Sequence, residues 1–502
     1  MSEDWSIKDR PNILIVMQEH MQGQVVDFDH PCYMPNIKNR LAHEGITFIL
    51  GYTPTALCAP ARASFFTGLY PTGHGMYNNY HSLPVMHSGL FLGVKLFSEY
   101  LKEVSYNLSY IGKWHVSGEK GPICYGWHIP QEVRISTGYP VPGYRRSLWE
   151  KQLYRRRSKV RLKRYAVIKR LGWPDYILYG TLDGKLEEMA DFKRVKIAAK
   201  EIKRLSRKSK PWVIFVGLTN LHDPYIVPEP YASMYDPDDI SLPENYYDSL
   251  EDKPMIYRRM RQQLWSQLNG QQVREAIAHY WGLCTMTDDL VSLLLDALED
   301  VGVEDNTLVL FTSDHGDQVG GHGLFLKGVM PFEESYRIPM IVRWPQVIKP
   351  GSISTEFVTL CDFAPTFCEI AGAEMPKPCH GRSLLPLFQG LKPKDWPQSF
   401  FGQFLGSEYY YTQRIIRTYR FKYVFNAFDI DELYDLQNDP YEMKNLITDP
   451  DYDDIKIELI KEMWKWCVKT DDILFDPYPT SALIPYGPLI YLNELKDKLR
   501  KD

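Results

Sequence analysis

Residues 57–62, Leu-Cys-Ala-Pro-Ala-Arg, contain the residue types best suited to chemistry. In a helix, one turn would separate Cys58 from Arg62. Proline suits the first turn of a helix, so we expect a helix that begins near Cys58. The free N–H groups and the dipole at a helix N-terminus favour negative charge, and Arg62 adds a cation. The stretch therefore predicts a site that holds an anion against a reactive side chain. A buried structural thiol is the alternative that the cysteine alone leaves open.

Polar side chains also follow four predicted strands, at the points where those strands end. Residues 11–17, 109–111, 212–218 and 307–312 are short apolar runs typical of buried parallel strands. The polar residues that follow these runs are Glu19, His20, Lys113, His115, His222, Asp314 and His315. Ligands of open α/β sheets gather at the carboxyl ends of the strands, so these residues are candidates for a site. For each one taken alone, a solvated or packed side chain is the alternative.

The types of these residues indicate what they could do. Asp314 and His315 stand side by side before a glycine-rich segment, an arrangement that suits metal ligands. Glu19 is a candidate metal ligand or acid/base group. Lys113 and His115 are two residues apart, so on an extended segment they would point the same way and could share an anion.

The length and the order of the predicted elements indicate two units. A chain of 502 residues is longer than one core usually serves. Strands alternate with helices as far as residue 390, which predicts an α/β unit with a large, mostly parallel or mixed sheet between layers of helices. Residues 391–502 contain short antiparallel strands and a helix at about 454–470, which predicts a smaller α+β unit. We therefore expect a catalytic domain over residues 1–390 and a subdomain over residues 391–502.

Composition excludes some classes of function. The net charge of -5 argues against nucleic-acid binding, since such domains are usually basic. The first residues show no basic segment followed by an apolar run, and no apolar stretch approaches the length of a membrane span. The eight cysteines form no CxxC pair, which favours a reducing environment over a disulfide framework. We expect a cytoplasmic protein without a membrane or nucleic-acid partner.

Two charged segments have less specific interpretations. Residues 145–170 are strongly basic and could form a helical insertion with a cationic face. A solvated helix is the usual interpretation, and a surface for a polyanionic substrate or an acidic neighbouring subunit is the alternative. Asp288 and Asp289 lie in a predicted helix over 275–298, where we interpret them as a solvated or capping pair.

Four blocks, in this order along the chain, resemble the sulfatases of the alkaline phosphatase superfamily. Residues 58–62 match the C-x-P-[SA]-R signature, and residues 112–115 match the G-K-W-H block. Residues 313–328 match the block with Asp-His-Gly and Lys-Gly, and residues 432–440 match the C-terminal signature with Glu-Leu-Tyr-Asp. The resemblance spans nearly the whole chain and implies an alkaline-phosphatase-like fold.

The resemblance also implies a mechanism. Cys58 would be oxidised to formylglycine by a formylglycine-generating enzyme, and the hydrated aldehyde would attack a sulfate ester with the help of a divalent cation. Arg62, Lys113 and Lys327 would hold the sulfate oxygens. His222 would protonate the departing alcohol with assistance from Lys327, and His115 would take the proton that releases sulfate. The substrate would be a small-molecule or saccharide sulfate ester.

The implied metal ligands are Glu19, Cys58, Asp314 and His315, and they include two departures from the family pattern. Sulfatases commonly carry Asp-Asp where this chain has Glu19 and His20, and many carry Asn where it has His315. His20 could be a nitrogen ligand, a supporting group or a substitution without consequence. Oxygen ligands favour Ca²⁺, with Mn²⁺ or Zn²⁺ as alternatives if histidines bind.

These departures leave other functions open. A phosphonate monoester or phosphodiester hydrolase on the same site is the first alternative, because Asp-His is usual in those relatives. A non-catalytic binding protein with an unmodified Cys58 is the second. The sequence also leaves open whether the chain forms a homo-oligomer.

Overall fold

The computed structural model describes residues 10–80, 87–133, 162–172, 174–375, 378–407, 409–427, 429–476, 486–488, 490–491 and 496. Its strands are β1 (Asn12–Gln18), β2 (Ile46–Phe48), β3 (Gly51–Tyr52), β4 (Asn107–Gly112), β5 (Leu162–Ile168), β6 (Tyr176–Leu182), β7 (Trp212–Gly217), β8 (Tyr225–Pro228), β9 (Thr307–Ser313), β10 (Met340–Arg343), β11 (Ser352–Ser354), β12 (Val358–Thr359), β13 (Ser399–Phe404), β14 (Gln413–Thr418), β15 (Phe421–Asn426) and β16 (Glu432–Asp435). Its α-helices are α1 (Cys58–Thr67), α2 (Pro71–His74), α3 (Phe97–Glu103), α4 (Ala190–Leu205), α5 (Met255–Gln263), α6 (Gly270–Glu299), α7 (Glu333–Tyr336), α8 (Phe363–Ile370), α9 (Leu385–Phe388) and α10 (Asp453–Lys469).

The central element is a seven-stranded sheet with the order β11-β2-β10-β9-β1-β7-β4. Strands β9, β1, β7 and β4 run parallel, whereas β10 is antiparallel to β9. Met17 of β1 lies opposite Gly217 on one side and Thr312 on the other. The ends of β1, β7 and β9 therefore come together at one edge, as the predicted strands required.

Helices cover both faces of this sheet, because successive residues of a strand point to opposite sides. Leu14 and Val16 of β1 pack in one hydrophobic core with residues of α4 and α6. Ile13, Ile15 and Met17 pack in a second core with residues of α1, α3 and α8. The prediction of a mixed sheet between helices is confirmed.

Smaller sheets flank the central one. Strands β13 to β16 form an antiparallel sheet of four strands, and α10 packs against it in a third core. The prediction of an antiparallel sheet near the C-terminus is confirmed, while the boundary at residue 390 stays a prediction. Strands β5, β6 and β8 form a three-stranded sheet that the sequence did not indicate.

Two charged segments can be compared with their predicted roles. Residues 145–161 of the basic segment lie outside the described residues, and residues 162–168 form β5. The expectation of a helix is wrong for that part, because Tyr165, Val167 and Ile168 give it the composition of a strand. Asp288 is completely buried, so the solvated alternative is wrong for it. Its carboxylate accepts hydrogen bonds from the backbone N–H of Asn36 and Ile37, at the start of the short helix Ile37–Ala42.

No helix in the described part of the chain is both long enough and apolar enough to cross a membrane.

Candidate active site

The end of β1 and the end of β9 together form the floor of the candidate site. The register that pairs Gln18 with Ser313 makes Glu19 and Asp314 neighbours on adjacent strands. The floor residues Glu19, His20, Asp314 and His315 are at most 1% exposed. Buried charged groups are stable only when they are paired or when they bind an ion, so the partners of these side chains define the chemistry of the site.

Cys58 lies against this floor. Leu57 is extended, and α1 begins at Cys58 as the sequence predicts. The Cys58 Sγ atom is 3.3 Å from Glu19 Oε1 and 3.1 Å from His315 Nε2. Burial raises the pKa of the Cys58 thiol to about 11, with a smaller contribution from the charge of Asp314 and opposition from Lys327. At neutral pH the unmodified side chain is therefore a protonated thiol and a weak nucleophile.

Arg62, one turn along α1, is completely buried. Its Nε donates to Asp314 Oδ2 at 2.9 Å, and its Nη1 donates to the Lys113 carbonyl at 3.1 Å. Burial would raise the pKa of Asp314, but the positive charges around it, Arg62 among them, hold that pKa below its usual value. Arg62 Nη2 has no hydrogen-bond partner within the described part of the chain. Arg62 thus fixes Asp314 and retains one donor for another group.

Two lysines bring positive charge to the same place. Lys113 follows β4 and pairs through Nζ with Glu19 Oε1. Burial lowers the pKa of Lys113 to about 7, while the charge of Asp314 opposes that shift. Lys327 Nζ contacts His20 Nε2 and lies 3.2 Å from His222 Nε2. The predicted lysines therefore lie beside the acidic and histidine side chains that surround Cys58, and these residues together are called the Cys58 cluster.

The two histidines with predicted proton-transfer roles, His222 and His115, have different neighbours. His222 Nε2 is 3.9 Å from Glu19 Oε1, and its Nδ1 lies 2.9 Å from the Asp223 carbonyl oxygen. Burial, followed by the charge of Lys327, lowers the pKa of His222 to about 4. The ring of His115 packs edge-on against Tyr80, with 4.9 Å between centroids. The proton-transfer role of His115 stays a prediction.

The structure adds Asp317, to which the sequence assigned no role. Asp317 Oδ2 lies 2.9 Å from His20 Nδ1, and both side chains are completely buried. Asp317 follows His315 by two residues in the segment after β9, so it was a third polar side chain in a block already singled out. Its pairing with His20 joins positions 297 residues apart, and local sequence patterns do not reveal such contacts.

The donor atoms of the cluster fit a divalent cation. Ligand atoms of Cys58, Asp314 and His315 lie within 4.8 Å of one another, and so do those of Glu19, His20, Cys58 and His222. Carboxylate oxygens suit hard cations such as Ca²⁺, and imidazole nitrogens suit Mn²⁺ and Zn²⁺. Glu19, Asp314 and His315 supply both kinds of ligand around Cys58, and two lysines and Arg62 supply positive charge for an anionic substrate.

Family models and a curated protein match most of this chain. The Sulfatase family model matches residues 11–373, and the model for the C-terminal part of N-sulphoglucosamine sulphohydrolase matches residues 320–469. An ulvan-active sulfatase of Formosa agariphila is 28% identical over 510 residues, which cover 93% of this chain and 82% of that protein.

Two solved structures share the fold at 22% sequence identity. A phosphonate monoester hydrolase from Silicibacter pomeroyi has a TM-score of 0.76, with 93% of this chain and 97% of that chain covered. A protein in complex with its substrate D-glucosamine-2-N,6-O-disulfate has a TM-score of 0.71, with 92% and 99% covered. At this identity, both likenesses concern the fold alone.

Proposed function

Because the chain belongs to the sulfatase family and is therefore a sulfuric ester hydrolase, we propose that it works through a formylglycine made from Cys58 and a divalent cation. The observation that carries the proposal is the position of Cys58 Sγ, 3.3 Å from Glu19 Oε1 and 3.1 Å from His315 Nε2. A thiol with a pKa of about 11 suits a precursor better than a nucleophile.

The formylglycine and the cation would make different contributions. A hydrated formylglycine at position 58 would supply a hydroxyl nucleophile and a second hydroxyl. The cation would supply positive charge beside that nucleophile and the sulfate. Glu19, Asp314 and His315 would hold the cation, and a formylglycine-generating enzyme is the partner required for maturation. The oxygen ligands favour Ca²⁺, with Mn²⁺ or Zn²⁺ as alternatives.

The side chains of this protein perform the remaining tasks. Lys113, Lys327 and the free Nη2 of Arg62 bind the sulfate oxygens and neutralise the charge that develops during the reaction. Lys327, 3.2 Å from His222 Nε2, supplies a proton to that nitrogen, and His222 passes it to the leaving oxygen. The low pKa of His222 makes this supply necessary, because its free imidazole is neutral at pH 7.

We propose a sulfated saccharide as the substrate class. The names of two similar proteins support this choice, since one is ulvan-active and the other was solved with a sulfated glucosamine. A phosphonate monoester is the second candidate, because His315 occupies the position next to Cys58 where many sulfatases have asparagine.

The test compares p-nitrophenyl sulfate with p-nitrophenyl phenylphosphonate, two esters with the same leaving group. We expect a higher kcat/KM for the sulfate and loss of both activities in Cys58→Ala. A clear preference for the phosphonate would replace the sulfatase proposal with the second candidate. If Cys58→Ala were as active as the protein without a substitution, the role of Cys58 would be refuted for either ester.

A further inference from the structure

We propose that His20 and Asp317 are positioning residues for Lys327, and that His20 is not a ligand of the cation. This inference rests on the proposed function, because Lys327 serves the leaving group there. His20 stands where sulfatases commonly have aspartate. Its place in the sequence implies a metal ligand, and we assign it the positioning of Lys327 instead.

The Asp317 carboxylate is held from several sides. Its Oδ1 accepts hydrogen bonds from the Tyr225 hydroxyl and from the Leu326 backbone N–H, both at 2.8 Å. Its Oδ2 faces His20 Nδ1 at 2.9 Å. A carboxylate is an acceptor, so it fixes the proton of the neutral imidazole on Nδ1. The second ring nitrogen of His20, Nε2, is therefore an acceptor.

The backbone of His20 holds the ring in place. Its φ angle of 60° lies in the left-handed region, which is uncommon for a residue other than glycine. Its carbonyl accepts from the Tyr280 hydroxyl at 2.7 Å, and its N–H points to Asp314 Oδ1 at 3.4 Å. The ring has no solvent exposure. His20 thus presents Nε2 at one defined point inside the site.

Lys327 Nζ occupies that point. An ammonium has donors but no acceptor, so Lys327 donates to His20 Nε2. The same ammonium lies 3.2 Å from His222 Nε2, whose Nδ1 faces the Asp223 carbonyl oxygen at 2.9 Å. Lys327 is therefore shared between two imidazole acceptors. A lone pair of His20 Nε2 that accepts from Lys327 cannot bind a metal ion at the same time.

This arrangement affects one event of the reaction. When the S–O bond breaks, its electron pair stays on the alcohol oxygen, and a proton must reach that oxygen. Lys327 passes a proton to His222 Nε2, and His222 passes it to the oxygen. A Lys327 that is no longer held by His20 can leave His222, so proton supply becomes slow. Esters of weakly acidic alcohols depend on this proton most, because their oxygen is the poorest leaving group.

The test uses the full chain and a series of sulfate esters that runs from p-nitrophenyl to phenyl sulfate. We expect His20→Ala to lower kcat/KM by about 10²-fold for phenyl sulfate and by less than about 10-fold for p-nitrophenyl sulfate, since general acids contribute on that scale. His20→Gln should recover much of the loss, because its Oε1 can accept from Lys327. Tyr225→Phe, which removes one donor to Asp317, should produce a smaller loss of the same kind.

Metal content distinguishes the positioning role from a ligand role. We expect His20→Ala to bind as much metal per chain as the protein without a substitution, measured by elemental mass spectrometry. Asp314→Asn should lose metal. His279→Asn is the matched control, because His279 is also buried but bonds to Thr181 of β6. Loss of metal in His20→Ala, or an equal fall in activity for all esters, would overturn the inference.

Failure of the proposed function gives a different pattern. If the chain prefers phosphonate monoesters, the same series of alcohols tests His20 on that substrate. If it cleaves neither ester, the proposed function fails, and crystal structures of the unmodified chain and His20→Ala decide the inference. Displacement of Lys327 Nζ from His222 Nε2 in the variant would support it, and an unchanged position would refute it.

Discussion

Nε2 of His315 lies 3.1 Å from Sγ of Cys58, although 257 residues separate them along the chain. One side chain follows the buried strand β9, and the other begins α1. Their contact brings Cys58 and the polar side chains at the strand ends into one buried cluster.

Removal of the metal should abolish activity without unfolding the chain. Glu19, Asp314 and His315 hold the cation in the proposed function, so incubation with EDTA should reduce kcat by at least about 10²-fold, the scale expected for the loss of a major electrostatic contribution. Ca²⁺ should restore the activity, and Mn²⁺ or Zn²⁺ are the alternatives to compare. Full activity of metal-free protein, verified by elemental analysis, would exclude a metal-dependent reaction.

The pair Arg414 and Asp472 should be essential for stability. Arg414 Nε and Nη2 donate to the two carboxylate oxygens of Asp472 at 2.6 Å, and both side chains are at most 1% exposed. Arg414→Met leaves a buried carboxylate without its cation and should lower the free energy of unfolding by about 3–5 kcal/mol. The measurement is equilibrium denaturation in urea.

Two controls accompany this variant. Arg414→Met combined with Asp472→Leu should recover most of the lost stability, because no unpaired charge remains. Lys203→Met breaks the exposed pair with Asp300 and should cost less than about 1 kcal/mol. A cost for Arg414→Met no larger than that for Lys203→Met would contradict the predicted importance of the buried pair.

Asp288 should give stability a measurable dependence on pH. Burial raises its pKa from 3.8 to about 6, although the N–H groups of Ile37 and Asn36 oppose that shift. The folded state therefore binds more protons than the unfolded state between these values, and the contribution of Asp288 to stability falls as the pH rises through this window. The expected fall is at most about 3 kcal/mol between pH 4 and pH 7.

The comparison with Asp288→Asn isolates this contribution. The variant has no titrating group at this position, so the stability difference between the unmodified chain and the variant should decrease from pH 4 to pH 7. Denaturation at each pH measures both curves. Parallel curves would mean that the pKa of Asp288 is the same in the folded and unfolded states.

Much of the scaffold could be predicted because its strands are continuous apolar runs. Residues 212–218 and 307–312 contain few polar side chains, and both segments form central strands of the sheet. Cys58 and Arg62 stood out because proline, arginine and cysteine form one compact motif. These features are local, so a sequence reveals them directly.

Other features depend on contacts between distant segments. The charge of residues 145–170 is compatible with a helical insertion, but residues 162–168 form β5, which pairs with β6. Asp317 belongs to a block that the sequence singles out, but its contact with His20 joins two distant strand ends, which local patterns do not reveal. The residues next to His20 in the sequence likewise do not indicate that its ring contacts Asp317 and Lys327.

The chemical state of Cys58 tests the central claim most directly. Intact protein that hydrolyses an aryl sulfate should be digested, and the peptide that contains Cys58 should be analysed by mass spectrometry. The proposed function predicts the mass of a formylglycine residue at position 58 and its reaction with a hydrazine reagent, with modification and activity rising together across preparations. An intact thiol at Cys58 in protein that turns over its substrate would contradict the account.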